Sequence, residues 1–268
     1  MLDFPSRLAS ASGSMKDFQL YASAYVIHVV TFWIFGLLFL VLDVLRPQWT
    51  LRFKCQPGKY PSAGLVGKVA RNVAVNQVTT HVAVFLGAFP LARRRLDFSA
   101  ELPCMAVACR DLVLFVVLTE LEFFFIHRAL HLPDLYRRVH KVHHEVTQPF
   151  GLCALYFHPF EHAISSLQSF VPALLLGSHI VVLQVWIAVA TAMVVIHHSG
   201  YDWEPYVPDS MWPFRSMTQQ HDFHHAAFSK CFGVVGVSDW LCDTDAGLEE
   251  RLSTWRTCGR KRAAAGGA

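Results

Sequence analysis

The chain has 268 residues, a formal net charge of +3, and 16% charged against 53% hydrophobic residues. This balance lies well to the apolar side of typical soluble domains and predicts a membrane protein, while the scattered basic residues form no stripe that could follow a phosphate backbone, which argues against nucleic acid as a partner. The seven cysteines show no CxxC spacing and no even disulfide framework, which favours reduced thiols on the cytosolic side of a membrane or within it.

Apolar runs follow one another after an N-terminal tail of residues 1–20. Tyr21–Leu45 predicts a transmembrane helix, and with no cleavage signal ahead of it we expect it to remain in the mature protein. Val69–Leu91 is interrupted by polar residues, so it predicts either a weaker span or an interfacial helix. Leu102–Ile126 contains four charges that we expect to face protein: Arg110, Asp111, Glu120 and Glu122.

The fourth run, Ala163–Ile196, has histidines at both ends. A single helix of this length would be roughly 50 Å long and would carry its two ends to opposite faces of a bilayer. A break near Gly177 and Ser178 instead predicts a hairpin of two helices of about 16 residues each, which returns both ends to one side. Basic residues between Arg46 and Arg71 favour the cytosol for that side, although the triplet Arg93–Arg95 blurs the count. The predicted fold is an all-α, polytopic membrane protein with a cytosolic histidine-rich cap; the number of spans stays open.

Histidines concentrate in "HRALHLPDLYRRVHKVHHE", from residue 127 to 145, and in "QQHDFHH", which ends at residue 225. Positions i, i+3 and i+4 of a helix share a face, so three groups are each predicted to point their rings in one direction: His127 with His131, His140 with His143 and His144, and His221 with His224 and His225. Neutral imidazole binds iron, zinc, copper and nickel. Eight imidazoles are too many for one tetrahedral ion, so two ions are expected. The isolated His28, His81 and His179 are predicted to be hydrogen-bonded core or interface residues.

The motifs "HRALH", "HKVHHE", "HHSGYD" and "HDFHH", in this order after apolar spans, resemble those of the fatty acid hydroxylase/sterol desaturase superfamily. "HKVHHEVTQPFG", "LYFHPFEH" and "GVVGVSDWL" look most like sterol C-4 methyl oxidases and fatty acid hydroxylase domain-containing proteins. The resemblance covers about Leu102–Asp245, which divides the chain into a tail (1–20), N-terminal membrane helices (21–101), a catalytic domain (102–245) and a C-terminal tail (246–268). It implies that the eight clustered histidines are metal ligands. The additional histidines of the family correspond to His198 and, as a second candidate, His158. His197 is expected to lie on another side of its helix.

The same resemblance implies a non-haem centre of two iron ions that uses O2 to hydroxylate an unactivated C–H bond of a lipid. Among lipids it favours a sterol over a fatty acyl chain or a sphingolipid, and it implies an endoplasmic reticulum membrane enzyme with a cytosolic active site. Electrons would come from cytochrome b5 or a similar donor and its NADH- or NADPH-dependent reductase, since the chain has no flavin or nicotinamide fingerprint. Gln220 and Asp243 depart from the pattern of sterol C-4 methyl oxidases, which leaves the subfamily open.

Two carboxylates beside the histidines, Glu145 and Asp222, are candidates to orient imidazole N–H groups, or else are solvated loop charges. Phe123, Phe124 and Phe125 could line a path for a lipid to the metals, or could simply pack between helices.

Two other classes of protein compete with the oxidase. "HPFEH", from His158 to His162, matches a zinc protease pattern with Glu161 as base, but Pro159 lies inside it and eight histidines would have no role. A metal transporter would also collect histidines beside a membrane path; carboxylates within the spans are typical of such sites, whereas these clusters lie at span ends.

Overall fold

The computed structural model describes residues 4–203 and 216–265, which fold mostly into helices. The α-helices in chain order are α1 (Phe4–Leu45), α2 (Ala63–Asn76), α3 (Val82–Arg95), α4 (Met105–Leu130), α5 (Pro133–Arg138), α6 (Pro159–Gln168), α7 (Val171–Leu176), α8 (Ile180–His197), α9 (Met217–Ala227), α10 (Val237–Leu241) and α11 (Leu248–Ala265). Short 3-10 turns cover Gln48–Phe53, His140–Glu145 and Gly151–Leu155. The described residues form no strand, only two isolated bridges, so the all-α prediction is confirmed.

Within the described ranges, three helical stretches are long and apolar enough to cross a bilayer: Gly13–Leu45, Ala63–Arg95 and Ile180–His197. The second joins α2 to α3 through a π-helical turn at Gln77–His81, so the interrupted run predicted as a weaker span or an interfacial helix is long enough to span. α4 buries Asp111 and Glu120 against protein, as expected for charges within an apolar run.

One face of α1 has the character of a lipid-facing surface. Side chains at intervals of three or four residues are about half exposed: Val26, Val30, Ile34, Leu37 and Val41. Tyr21, Phe32 and Phe39 are buried on the other side of the helix. Because an apolar stripe of this length is unfavourable in water, its place is against hydrocarbon.

The predicted hairpin is present, with its turn at Gly177. This residue ends α7 in the left-handed conformation (φ 64°), which glycine adopts without strain, and α8 begins three residues later. The outgoing arm is made of two short helices, α6 and α7, rather than one of about 16 residues. Asp97, next to α3, forms backbone hydrogen bonds with Ser178 and Ile180, which fixes the turn at the end of α8 away from the clustered histidines.

At the histidine end, the buried carboxylate of Asp43, near the end of α1, binds one residue from the segment after α1 and one from the segment after α8. Lys54 Nζ lies 2.5 Å from Asp43 Oδ1, and the Tyr201 hydroxyl donates to the same oxygen at 2.9 Å. All three side chains are almost fully buried. The C-terminal ends of α1 and α8 therefore lie side by side, and the sequence on either side of the hairpin returns to one face of the bundle.

A close approach of backbone also positions this end. The buried turn Gly151–Leu155 packs against α1, where a Cβ on Gly36 would lie 2.5 Å from Leu152 Cδ2. Gly151 faces Phe39 and Gly36 in turn, so two glycines permit the contact.

We predict that Gly36→Ala destabilises the protein by about 1–3 kcal/mol, because the added methyl group overpacks the contact with Leu152. Gly87→Ala is the matched control: it lies in α3 with no atom within 4 Å of its Cβ position, and alanine is the better helix former. Thermal unfolding in detergent should show a lower Tm for the first variant only. Equal Tm values for the two variants would contradict the close approach.

Candidate metal centre

Nine imidazoles converge at the histidine end of the bundle. The end of α4 supplies His127 and His131, and the end of α8 supplies His198. The remaining six come from the turn His140–Glu145 and from α9: His140, His143, His144, His221, His224 and His225. All but His131 are nearly inaccessible to solvent. Residues as distant as 127 and 225 therefore meet at one place, as their spacing predicted.

The nine divide into two groups, each with its ligand nitrogens within 4.8 Å of one another. One group, called the five-histidine group here, consists of His127, His131, His140, His144 and His224. The other, the four-histidine group, consists of His143, His198, His221 and His225.

The expectation that each HxxHH motif points its three rings in one direction is not met. His140 and His144 join one group while His143 joins the other; His221 and His225 belong to one group while His224 belongs to its neighbour. The rings at i and i+4 thus stay together and the ring at i+3 crosses over. Each motif links the two groups, so neither group can form without the other being close by.

The distances between neighbouring Nε2 atoms suit a shared metal ion. His144 Nε2 lies 3.0 Å from His140 Nε2, 3.2 Å from His131 Nε2 and 3.1 Å from His224 Nε2. In the other group, the Nε2 pairs His221–His198, His225–His221 and His198–His143 are 2.7, 3.1 and 3.4 Å apart. With metal–nitrogen bonds of about 2.0–2.1 Å, neighbouring ligands lie about 2.8–3.0 Å apart in octahedral geometry and about 3.3–3.4 Å apart in tetrahedral geometry. The distances within both groups lie in or close to this range, so each group can hold an ion at its centre.

Backbone carbonyls fix the orientation of four of these rings. The partners of Nδ1 are Phe232 O for His127 (2.8 Å), Val194 O for His198 (2.7 Å), Lys230 O for His224 (2.7 Å) and Val146 O for His225 (2.9 Å). A carbonyl oxygen can only accept, so Nδ1 must carry the proton and Nε2 keeps its lone pair. This is the tautomer that a metal ligand needs.

Burial also keeps the rings neutral. It lowers the pKa of His131 to about 3 and that of His225 to about 3, with neighbouring histidines acting in the same direction. At neutral pH both imidazoles are therefore unprotonated at one nitrogen and can bind a cation.

His140 is supported by a carboxylate that is not its neighbour in the sequence. Glu161, at the start of α6, is 2% exposed, and its Oε1 lies 2.7 Å from His140 Nδ1. Its other oxygen has no hydrogen-bond partner. The contact is of the carboxylate–histidine–metal type, which holds the ring and increases its basicity. The signal in the sequence was the motif "HPFEH", which suggested a protease base instead.

The two carboxylates proposed to orient imidazoles, Glu145 and Asp222, contact other residues instead. Glu145 is half exposed and accepts hydrogen bonds from Lys68 Nζ at 2.6 Å and Tyr156 OH at 2.7 Å. Asp222 is buried on the side of α9 away from the metal groups, where it accepts from Gln56 Nε2 at 2.9 Å and pairs with Arg251. Neither forms a hydrogen bond with a clustered histidine, so neither orients one.

Three further residues from the sequence analysis lie outside both groups. His158 precedes α6, and its Nδ1 accepts a hydrogen bond from Phe160 N as a helix cap. His197 is buried in α8 beside His198 but contributes to neither group, as expected. Gln220 lies against Gly236, where a Cβ would collide with its amide.

The three phenylalanines before His127 have three different surroundings. Phe124 is fully buried, Phe125 is 62% exposed on the outer face of α4, and the ring centre of Phe123 lies 5.0 Å from that of His127. The ring centre of Phe157 lies 4.9 Å from that of His143. Apolar rings thus flank both histidine groups, and of the three phenylalanines Phe123 and Phe125 are placed to meet a lipid.

Comparisons with known proteins agree with this site. The family model described as fatty acid hydroxylase matches residues 112–244, which contain all nine histidines. The chain is 35% identical to the human fatty acid hydroxylase domain-containing protein 2 over 84% of its own length and 66% of that protein. It is 30% identical to the rice very-long-chain aldehyde decarbonylase GL1-8 (86% and 87% of the two chains) and 28% identical to methylsterol monooxygenase 2-2 of Arabidopsis thaliana (91% and 92%).

No solved structure matches the chain significantly. The chain belongs to the fatty acid hydroxylase family and is a multi-pass membrane protein. It spans about two thirds of the length of the human relative, so the activity of that whole protein is not transferred to it.

We predict that Glu161→Gln weakens metal binding by about 10–100-fold, because the neutral amide supports the His140 ring less well than the carboxylate does. Glu145→Gln is the matched control, a carboxylate close in sequence that contacts no clustered histidine. Competition with a chelator would measure both affinities. Unchanged affinity in Glu161→Gln, or an equal loss in both variants, would refute the assignment.

Proposed function

We propose that this protein is a membrane di-iron oxidase that hydroxylates a C–H bond of a lipid, and that its substrate is a sterol of the C-4 methylsterol type. The two buried histidine groups carry the proposal, since nine neutral imidazoles with Nε2 atoms at coordination distances have no comparable structural role. Family membership supports an oxidoreductase, and a relative named as a methylsterol monooxygenase supports the choice of sterol.

The residues present would bind two ions, one in each group, through the nine Nε2 atoms. Bound iron would supply the activation of O2 and the oxidation of an otherwise unreactive C–H bond. The carbonyls of residues 146, 194, 230 and 232 hold the protons on Nδ1 and so keep the ligand nitrogens free. Glu161 holds His140 in place. No side chain has to act as nucleophile, and the protein contributes geometry and a dry environment.

A lipid would reach this centre from the bilayer along α4. The exposed Phe125 lies on the outer face of that helix and Phe123 lies beside the His127 ring. Phe157, which is buried against His143, would exclude water from the other group. The reacting carbon therefore comes to the metals from the hydrocarbon side while both groups stay shielded from the aqueous side.

In this proposal the metal-bearing end lies on the cytosolic side of the endoplasmic reticulum membrane. Four of the six basic residues from Arg46 to Arg71 lie between α1 and α2 at that end: Arg46, Arg52, Lys54, which pairs with Asp43, and Lys59. Electrons would come from a cytochrome b5-type donor and its NADH- or NADPH-dependent reductase on the same side. A fatty acid or sphingolipid hydroxylase with the same centre is the alternative within the family.

The anchored rings argue against the metal transporter. An ion in transit needs ligands that release it, whereas these rings are fixed by hydrogen bonds to backbone and to Glu161. Fixed ligands favour tight, permanent binding. The zinc protease is disfavoured by Glu161, which contacts His140, and by His158, which caps α6 and lies outside both histidine groups.

We predict that His224→Ala, which removes one ligand, abolishes lipid oxidation and lowers the iron content while the protein still inserts into membranes. His158→Asn is the control, because asparagine can cap α6 in its place and His158 lies outside both groups. The assay would supply purified protein with a cytochrome b5, its reductase and 18O2, with a 4-methylsterol, a fatty acid and a ceramide offered in parallel. Label in the sterol product supports the proposal. Label in an acyl product only would show that the substrate is a fatty acid or sphingolipid and not a sterol. Full activity of His224→Ala would contradict the di-iron centre.

A further inference from the structure

The segment after α9 holds two of the five histidines of one group. Lys230 O accepts from His224 Nδ1 at 2.7 Å, and Phe232 O accepts from His127 Nδ1 at 2.8 Å. The segment between α9 and α10 has no regular secondary structure, so no hydrogen-bond ladder of its own fixes these two carbonyls. Their position must come from other contacts.

Glu120 provides the first of these contacts. Its Oε2 accepts from Val234 N at 2.8 Å and Val235 N at 2.7 Å, and its Oε1 accepts from Ser238 N at 2.9 Å. These partners are more than 110 positions away in the sequence, so the contact is tertiary and not a local turn. The carboxylate is 6% exposed. Three charge-assisted bonds to one buried carboxylate fix the segment firmly to α4.

Asp239 provides the second contact, from the start of α10. Its Oδ1 accepts from Phe232 N at 2.7 Å and from Thr244 Oγ1 at 2.6 Å, and its Oδ2 accepts from Gly233 N at 2.7 Å. The side chain is fully buried. Phe232 is thus held at its nitrogen by Asp239 while its oxygen holds His127.

Glycine at position 233 shows how closely the two carboxylates enclose the backbone. A Cβ there would lie 2.7 Å from Glu120 Oε1 and 2.9 Å from Asp239 Oδ2. Both distances are shorter than real Cβ contacts, so any side chain would displace one carboxylate or the other. The segment fits between them only with a bare α-carbon.

The contacts form a closed path through α4. Glu120 and His127 are seven residues apart on this helix, two turns and therefore one face. Glu120 holds the segment, Asp239 holds Phe232 within it, and the Phe232 carbonyl returns to His127 on the same helix. All of these contacts lead to the five-histidine group. The carbonyls that hold His198 and His225 of the four-histidine group belong to residues 194 and 146, outside the segment.

We infer that Glu120 and Asp239 are positioning residues for one metal ion of the two: they place the carbonyls of Lys230 and Phe232, which set the tautomer and orientation of His224 and His127. The inference rests on the proposed function, in that both groups bind metal. Loss of either carboxylate frees two of five ligands in one group and none in the other. The two ions should therefore respond differently.

The test compares Glu120→Gln and Asp239→Asn with wild-type protein and with Glu122→Gln. Each amide keeps the size of the side chain but turns an NH2 group towards backbone N–H donors. Glu122→Gln makes the same change two residues along α4, at a carboxylate that forms no bond to the segment. Full-length protein would be loaded with iron(II) without oxygen and dialysed, and the bound iron counted. Cobalt(II) titration would give the affinity of each group from its d–d absorption.

We expect two ions per chain in wild type and Glu122→Gln, and one in Glu120→Gln and Asp239→Asn, with an affinity loss of about 10–100-fold confined to one of the two cobalt sites. Hydrogen exchange should increase at residues 231–238 in the metal-free variants while α1 and α8 stay protected. Two ions held with unchanged affinity in the variants would overturn the inference. Loss of both ions from a folded chain would also overturn it, because the effect would not be selective.

Thr244→Val decides the matter if the carboxylate variants fail to fold. It removes a single donor to Asp239 and leaves both carboxylates in place. We expect it to weaken the same cobalt site several-fold and to leave the other unchanged; affinities equal to those of wild type at both sites would overturn the inference. Wild-type protein that binds no iron would instead contradict the proposed function. Failure of the positioning inference can therefore be told apart from failure of the proposed function.

Discussion

The hydrogen bond from an imidazole Nδ1 to a backbone carbonyl is the interaction on which this site depends. A carbonyl cannot donate, so each such bond leaves a lone pair on Nε2, and four of the nine clustered rings are fixed in this way. The carbonyls belong to separate parts of the fold: the last turn of α8, the loop that follows the His140 turn, and the segment between α9 and α10. The chemistry of the metal groups therefore depends on the whole histidine end of the bundle being assembled.

The membrane helices make that assembly possible. The turn at Gly177 returns α8 to the side from which α6 departs, and the hydrogen bond from the Tyr201 hydroxyl, just after α8, to Asp43, near the end of α1, holds these two ends together. Without the turn, His198 would lie on the opposite face of the bilayer from His143. The helices contribute no ligand from their central parts. Their role is to bring their ends, and the short helices that follow, to one place beside the hydrocarbon that contains the substrate.

Much of this was accessible from the sequence because it depends on composition and length. The apolar run Tyr21–Leu45 follows from bilayer thickness and helix rise, and the hairpin near Gly177 follows from the same lengths once the histidine clusters are required to share one site. The division of each HxxHH motif between two groups did not follow, because it depends on how α9 and the His140 turn face each other. Adjacency in the sequence also gave the wrong carboxylates. Glu145 and Asp222 are sequence neighbours of ligands but contact no clustered ring, whereas Glu161, 21 residues after His140, contacts the ring of His140.

Anomalous scattering at the iron edge, from crystals of the purified protein, tests the central claim most directly. The account predicts two iron peaks, one surrounded by residues 127, 131, 140, 144 and 224 and the other by residues 143, 198, 221 and 225. A single peak, or iron bound outside these nine imidazoles, would contradict it.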